Sequence, residues 1–196
     1  ALHLGSMFTA YKELIRSHRF LIYTFAAIGP FTGLFAILTS LSSVLIEFMN
    51  LGPDTFGLLF GVVMLGNLAA SWLAGRWAET IGSTQLIVSG SLICLISGAA
   101  ALFVVLIGWS SPTGIVLPSL GFMVGFALLI PAATAGAMSP FPHMAGRASS
   151  LIGVVQLGAG AATSLVMGVT ADGTDLPLST ALAVGGILCL LSIFFI

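Results

Sequence analysis

Side chains able to do acid–base, nucleophilic or metal chemistry are few in this chain, and their spacing keeps them apart. The three histidines, His3, His18 and His143, all fall outside the long apolar runs. An intramembrane serine hydrolase needs a serine and a histidine together inside its spans, so that chemistry is excluded. No group of Cys, His, Asp and Glu has metal-ligand spacing, no loop has the pattern that cradles a phosphate, and no carboxylate pair is set for acid–base work. Cys94 and Cys189 each sit in the middle of an apolar run, where a reduced thiol packs as a small hydrophobe. The residues describe a protein that is not an enzyme and calls for neither cofactor nor metal.

What remains is the chemistry of binding. Asn67 and Gln156 are amides inside apolar runs. At membrane depth an amide faces protein or water, so each lines a substrate cavity or bonds across helices. Phe31 and Phe35 recur at i, i+4, as do Phe122, Phe126 and Ile130, which stacks each set along one helix face. Such a stripe serves the core, the lipid contact or the wall of an apolar cavity. Gly66, Ala70 and Ala74 are four apart, and Gly158 and Ala162 repeat the spacing. Small residues so spaced let helices approach closely in lipid, either within one bundle or against a partner that slides.

The elements that must position these residues are membrane helices. The chain of 196 residues is 58% hydrophobic and 6% charged, with a mean hydropathy of +1.18. A soluble domain of this length cannot hide so much apolar surface, so most of it faces lipid. A net charge of −1 gives no footprint for nucleic acid. Six apolar runs are legible, at about 20–46, 55–73, 85–107, 113–138, 147–169 and 178–196. Pro30 and Gly33 interrupt the first, which predicts a kink beside a cavity, and the fourth carries Pro118 and Pro131. Residues 1–19 form a polar lead-in, helically spaced from Met7, with no cleavage site after a short apolar core. Ala1 is no initiator and Ile196 falls inside an apolar run, so a longer parent chain is expected.

The phrase Gly61-Val-Val-Met-Leu-Gly-Asn-Leu-Ala-Ala-Ser71 returns as Gly153-Val-Val-Gln-Leu-Gly-Ala-Gly-Ala-Ala-Thr163, identical at seven of eleven positions. The chain therefore divides into two three-helix repeats, 20–107 and 113–196, behind the lead-in 1–19. Lys12, Arg16, Arg19, Arg76 and Arg147 all fall at one side, while Glu47, Asp54, Asp172 and Asp175 share the other. The positive-inside rule puts the N-terminus in the cytoplasm. With three spans per unit the second enters from the opposite face, giving an inverted repeat. The expected fold is an all-α membrane protein of six transmembrane helices.

With its loops the chain resembles the C-terminal half of a major facilitator superfamily transporter, and more narrowly the Bcr/CflA drug-resistance exporters. The resemblance rests on Tyr11-Lys-Glu-Leu-Ile-Arg-Ser-His-Arg-Phe20, Leu51-Gly-Pro-Asp-Thr-Phe-Gly-Leu-Leu-Phe60, Ile130-Pro-Ala-Ala-Thr-Ala135, and Ala145-Gly-Arg-Ala-Ser-Ser-Leu-Ile-Gly153 followed by Gln156. It covers nearly the whole chain. Two departures stand out. Ala132 occupies a position where such exporters often have Asn, and Ser83 and Thr84 follow Gly82 where the loop signature has basic residues. In that loop Arg76 and Glu79 are one helical turn apart, spaced for a salt bridge, and Arg147 opens the fifth span.

The resemblance implies a bacterial inner-membrane exporter of amphiphilic drugs in exchange for protons. Phe31, Phe35, Phe122, Phe126, Gln156 and Asn67 would line its cavity, and Gly66, Ala70, Gly158 and Ala162 would meet neighbouring helices. Expected partners are the lipid bilayer, a small hydrophobic or amphiphilic substrate, and an N-terminal half or a second copy. The alternative is a homo-oligomeric channel or a structural membrane subunit, but kinked first and fourth spans favour the transporter. None of the six acidic residues falls deep in a span. In the resembled family the proton is thought to be carried by the other half, so this half alone is expected to bind ligands without coupling them to protons.

Overall fold

The computed structural model describes residues 11–78 and 80–194. The readings that involve His3, Met7, Glu79 and Ile196 lie outside them. The described chain is all-helical, with six helices long and apolar enough to cross a membrane: His18–Phe48, Pro53–Ala78, Ser83–Leu106, Pro112–Met138, Pro142–Thr170 and Leu176–Ile193. They are numbered here as spans one to six. A helical turn over residues 11–16 precedes span one.

Local sequence explains where the helices break. Span one is interrupted at Ala27, just ahead of Pro30; a proline has no N–H to give and its ring crowds the carbonyl four residues back. Its last turn, Ser43–Phe48, widens to a π-helix. Span four instead runs unbroken through Pro118 and Pro131. Span three ends on Gly108, whose φ of +73° suits a residue without Cβ. The Gly108 and Trp109 amides return to the carbonyls of Val105 and Val104, closing the helix end. Ser111 then caps span four by accepting the Gly114 amide at 3.1 Å, with Pro112 at the first helical position.

Spans three and four, three and six, and six and one pair extensively, and spans one and four also touch. These four helices make the centre of the bundle. Span two attaches mainly to four and span five to one, giving a row in the order two, four, one, five. Exchanging spans one, two and three with four, five and six leaves this set of pairings unchanged. Span four is the most enclosed, with 61% of its most apolar stretch buried, against 11% for span two and 17% for span five.

The central crossings are made by glycine and cysteine. A Cβ on Gly125 would sit 2.6 Å from the Gly90 carbonyl oxygen and 2.6 Å from Cys94 Sγ. One on Gly29 would sit 2.6 Å from the Gly185 oxygen and 2.8 Å from Cys189 Sγ. Each crossing sets a Gly-x-x-x-Cys pair of one span against a glycine of the next, so backbones meet with nothing between them. Both thiols are free and buried.

Candidate functional site

The first and fourth spans bring part of the aromatic set together. The rings of Phe31 and Phe126 lie 5.4 Å apart, and Phe31 stacks along its own helix on Phe35 at 6.3 Å. All three are half-buried, as is Ile130. Phe35 also covers Gly160 of span five, where a Cβ would run into its ring. Phe122 departs from the expected set: it is fully buried. Its ring occupies the space left by the missing side chain of Gly33 and reaches Gly185. It is core, because the i, i+4 step rotates the helix enough to turn it from the Phe126 face into the crossing.

The two amides differ. Asn67 Nδ2 donates to the Met123 carbonyl at 2.9 Å, tying span two to span four. Gln156 is half-buried on span five with no hydrogen bond to another described residue. Spans one and five are joined instead by the Thr39 and Ser164 hydroxyls, 3.0 Å apart.

The small residues also divide. Gly66 meets Leu120 of span four, with Leu120 Cγ 3.1 Å from where a Cβ would stand, and Ala70 is buried. Gly158 has nothing within 4 Å, and Ala162 is exposed. Within this chain Gly66 and Ala70 turn toward the bundle, while Gly158 and Ala162 turn outward. The cause is register. Ala70 and Ala74 of span two answer Thr163 and Met167 of span five as buried positions, one residue off the alignment of the repeated phrase. One residue turns a helix by about 100°, which swings Gly158 outward.

Charges gather at opposite ends. At the N-terminal end Leu14, Phe20, Phe141, Ala148 and Ile152 pack together, beside Arg16, Arg19 and Arg147. Arg76, at the end of span two, lies 4.9 Å over the Trp72 ring, and its expected partner Glu79 is outside the described residues. At the other end Glu47 and Asp172 line one small pocket. The Thr174 hydroxyl, then the Thr174 amide, donate to Asp172 and hold its carboxyl below the usual carboxylate value. Asp175, which reads as a loop acid, is 2% exposed, and its Oδ2 has no partner among the described residues. No signal in the sequence separated it from Asp172.

Six helices long and apolar enough to cross a membrane define an integral membrane protein. No family profile matches the chain, and no solved structure does. Curated proteins do. Multidrug resistance protein D of Escherichia coli (strain K12) is 29% identical over 160 residues, covering 81% of this chain and 40% of its own length. The bicyclomycin resistance protein homolog of Haemophilus influenzae is 31% identical over 179 residues, covering 89% and 44%. The uncharacterized MFS-type transporter YdgK of Bacillus subtilis is 23% identical over 191 residues, covering 97% and 47%. The chain spans about half the length of these relatives. It is homologous to one half of a major facilitator superfamily transporter of the Bcr/CflA drug-resistance type.

Proposed function

We propose that this chain is the C-terminal half of a bacterial inner-membrane drug exporter, and that the row of spans two, four, one and five forms its wall of the central cavity. The observation that carries this reading is the half-buried Phe31–Phe126 contact, which joins the first and fourth helices of the row. A second half would close over the row, covering the sparsely buried spans two and five. The described acidic residues all lie at span ends or outside the spans, so the proton that drives export is assigned to the other half.

In the transporter carrying both halves, Phe31→Ala and Phe126→Ala should each raise the KM for drug about two- to tenfold, the scale of one lost aromatic contact. Protein yield should hold. Phe122→Ala should instead lose yield, since emptying a buried Phe site costs about 3–5 kcal/mol. An unchanged KM in both Phe31 and Phe126 variants would remove these rings from the cavity.

The proposed orientation has its own check. Ser83, the first residue of span three, and Ser110, in the loop after that span, are exposed at opposite ends of the bundle. Ser110→Cys should react with an impermeant maleimide in intact cells and Ser83→Cys should not. Cys94 and Cys189 are buried and free, so the native thiols need not be removed. Labelling of Ser83→Cys alone reverses the orientation.

A further inference from the structure

Away from the Phe31–Phe126 contact, a groove of about 600 Å³ runs between spans five and six with span one as its floor. Thr32, Ala162, Val166, Thr180 and Val184 line it, and it reaches Asp172 at its acidic end. The groove exists because spans five and six barely touch each other while both pack on span one. From Ala159 to Thr170 it extends about 16 Å at 1.5 Å per residue, the length of an alkyl chain of about a dozen carbons. Beyond it lies a second pocket of about 210 Å³, bordered by Thr39, Ser43, Glu47 and Thr174. Met167, Asp172 and Pro177 border both spaces, so an apolar channel continues into a polar, doubly acidic mouth. No Lys or Arg lines either one.

We infer that this groove holds a single-tailed cationic amphiphile, its alkyl chain lying between spans five and six and its ammonium group between Glu47 and Asp172. Charge complementarity selects the occupant. Two carboxylates without a basic neighbour repel an anionic head group and attract a cationic one, and the apolar groove alone accepts any chain. The Thr174 amide and hydroxyl both donate to Asp172 Oδ1, at 2.9 and 2.7 Å. Oδ2 is thereby left without a partner among the described residues. Every residue of the site belongs to this chain.

The test is equilibrium binding to the purified chain in phosphatidylcholine nanodiscs, with dodecyltrimethylammonium, dodecyl sulfate and tetramethylammonium as probes. Dodecyltrimethylammonium should bind saturably, and the other two at least about tenfold more weakly. The double variant Glu47→Gln/Asp172→Asn, altering two exposed side chains, should lose about tenfold for the long cation. Ala162→Phe with Val184→Phe, which fills the groove from two exposed positions, should weaken it as much while leaving thermal stability intact. Equal affinity for dodecyltrimethylammonium and dodecyl sulfate, or no loss in the double variant, overturns the charged mouth. Undiminished binding in the filled variant overturns the groove.

Discussion

Replacing Gly98 with Leu is expected to take the bundle apart. Gly98 lies where span three crosses span six, and a Cβ there would run into the Leu182 carbonyl oxygen, with Leu182 C at 2.7 Å and Ala183 Cα at 2.9 Å. These are backbone atoms, so no rotamer change can relieve the overlap. The two helices must separate, and separation also opens the crossing at Gly186, whose Cβ position is 2.8 Å from the Cys94 carbonyl oxygen. Overpacking a core site costs about 1–3 kcal/mol even where side chains can give way, and here the close approach of small residues is itself the source of affinity between helices. A loss of 3 kcal/mol or more corresponds to a melting point lower by about 10 °C for a chain of this size, with much of the protein aggregating in detergent. Gly98→Ala should fall between the two. Gly61→Leu on span two, where a Cβ meets nothing within 4 Å, should be neutral or slightly stabilising, because Leu is the better helix former. A Gly98→Leu protein that melts like its parent would mean that spans three and six do not cross there.

That contrast also shows what the sequence could and could not reveal. The six spans were legible because apolar runs of about 20 residues have few other uses, and Pro30 marked the break in span one. Hydrophobic periodicity could not reveal which face of each helix turns inward, since a membrane helix is apolar all round. The glycines that stand out in the text, Gly66 and Gly158, do so because they repeat. The glycines that make the tightest crossings, Gly29, Gly90, Gly98, Gly125, Gly185 and Gly186, lie in spans one, three, four and six and form no shared phrase. Gly90 with Cys94 and Gly185 with Cys189 did carry a signal, small residues four apart. Reading each cysteine by itself, as a packed thiol, hid the pairing with a glycine one turn back. Asn67 was legible as a buried amide, but the choice between cavity and helix bond needed the position of the Met123 carbonyl.

The repeated phrase keeps its interest for the side of the molecule it leaves open. Leu58, Val62, Leu65, Leu68 and Trp72 of span two, and Val154, Leu157, Leu165 and Val169 of span five, are all exposed. Among them stand Gly57, Gly61, Gly158 and Gly168, each with nothing within 4 Å. A glycine inside a helix costs about 1 kcal/mol relative to Ala, and no contact among the described residues offsets it. On the proposed function, the close approach that these glycines permit is made by the other half of the transporter, which slides against spans two and five as the cavity opens and closes. Gly158→Leu is then expected to leave the melting point of this chain unchanged or slightly raised, in contrast to Gly98→Leu, because its new side chain meets open space. In the transporter carrying both halves the same substitution should cut drug export about tenfold, since overpacking a close contact costs about 1–3 kcal/mol and about 1.4 kcal/mol is a factor of ten. Ile187→Leu, on an exposed face of span six, should change neither quantity. Export at the parent rate in Gly158→Leu, measured in vesicles with matched protein levels, would place Gly158 against lipid and end the assignment of span five to the contact between halves.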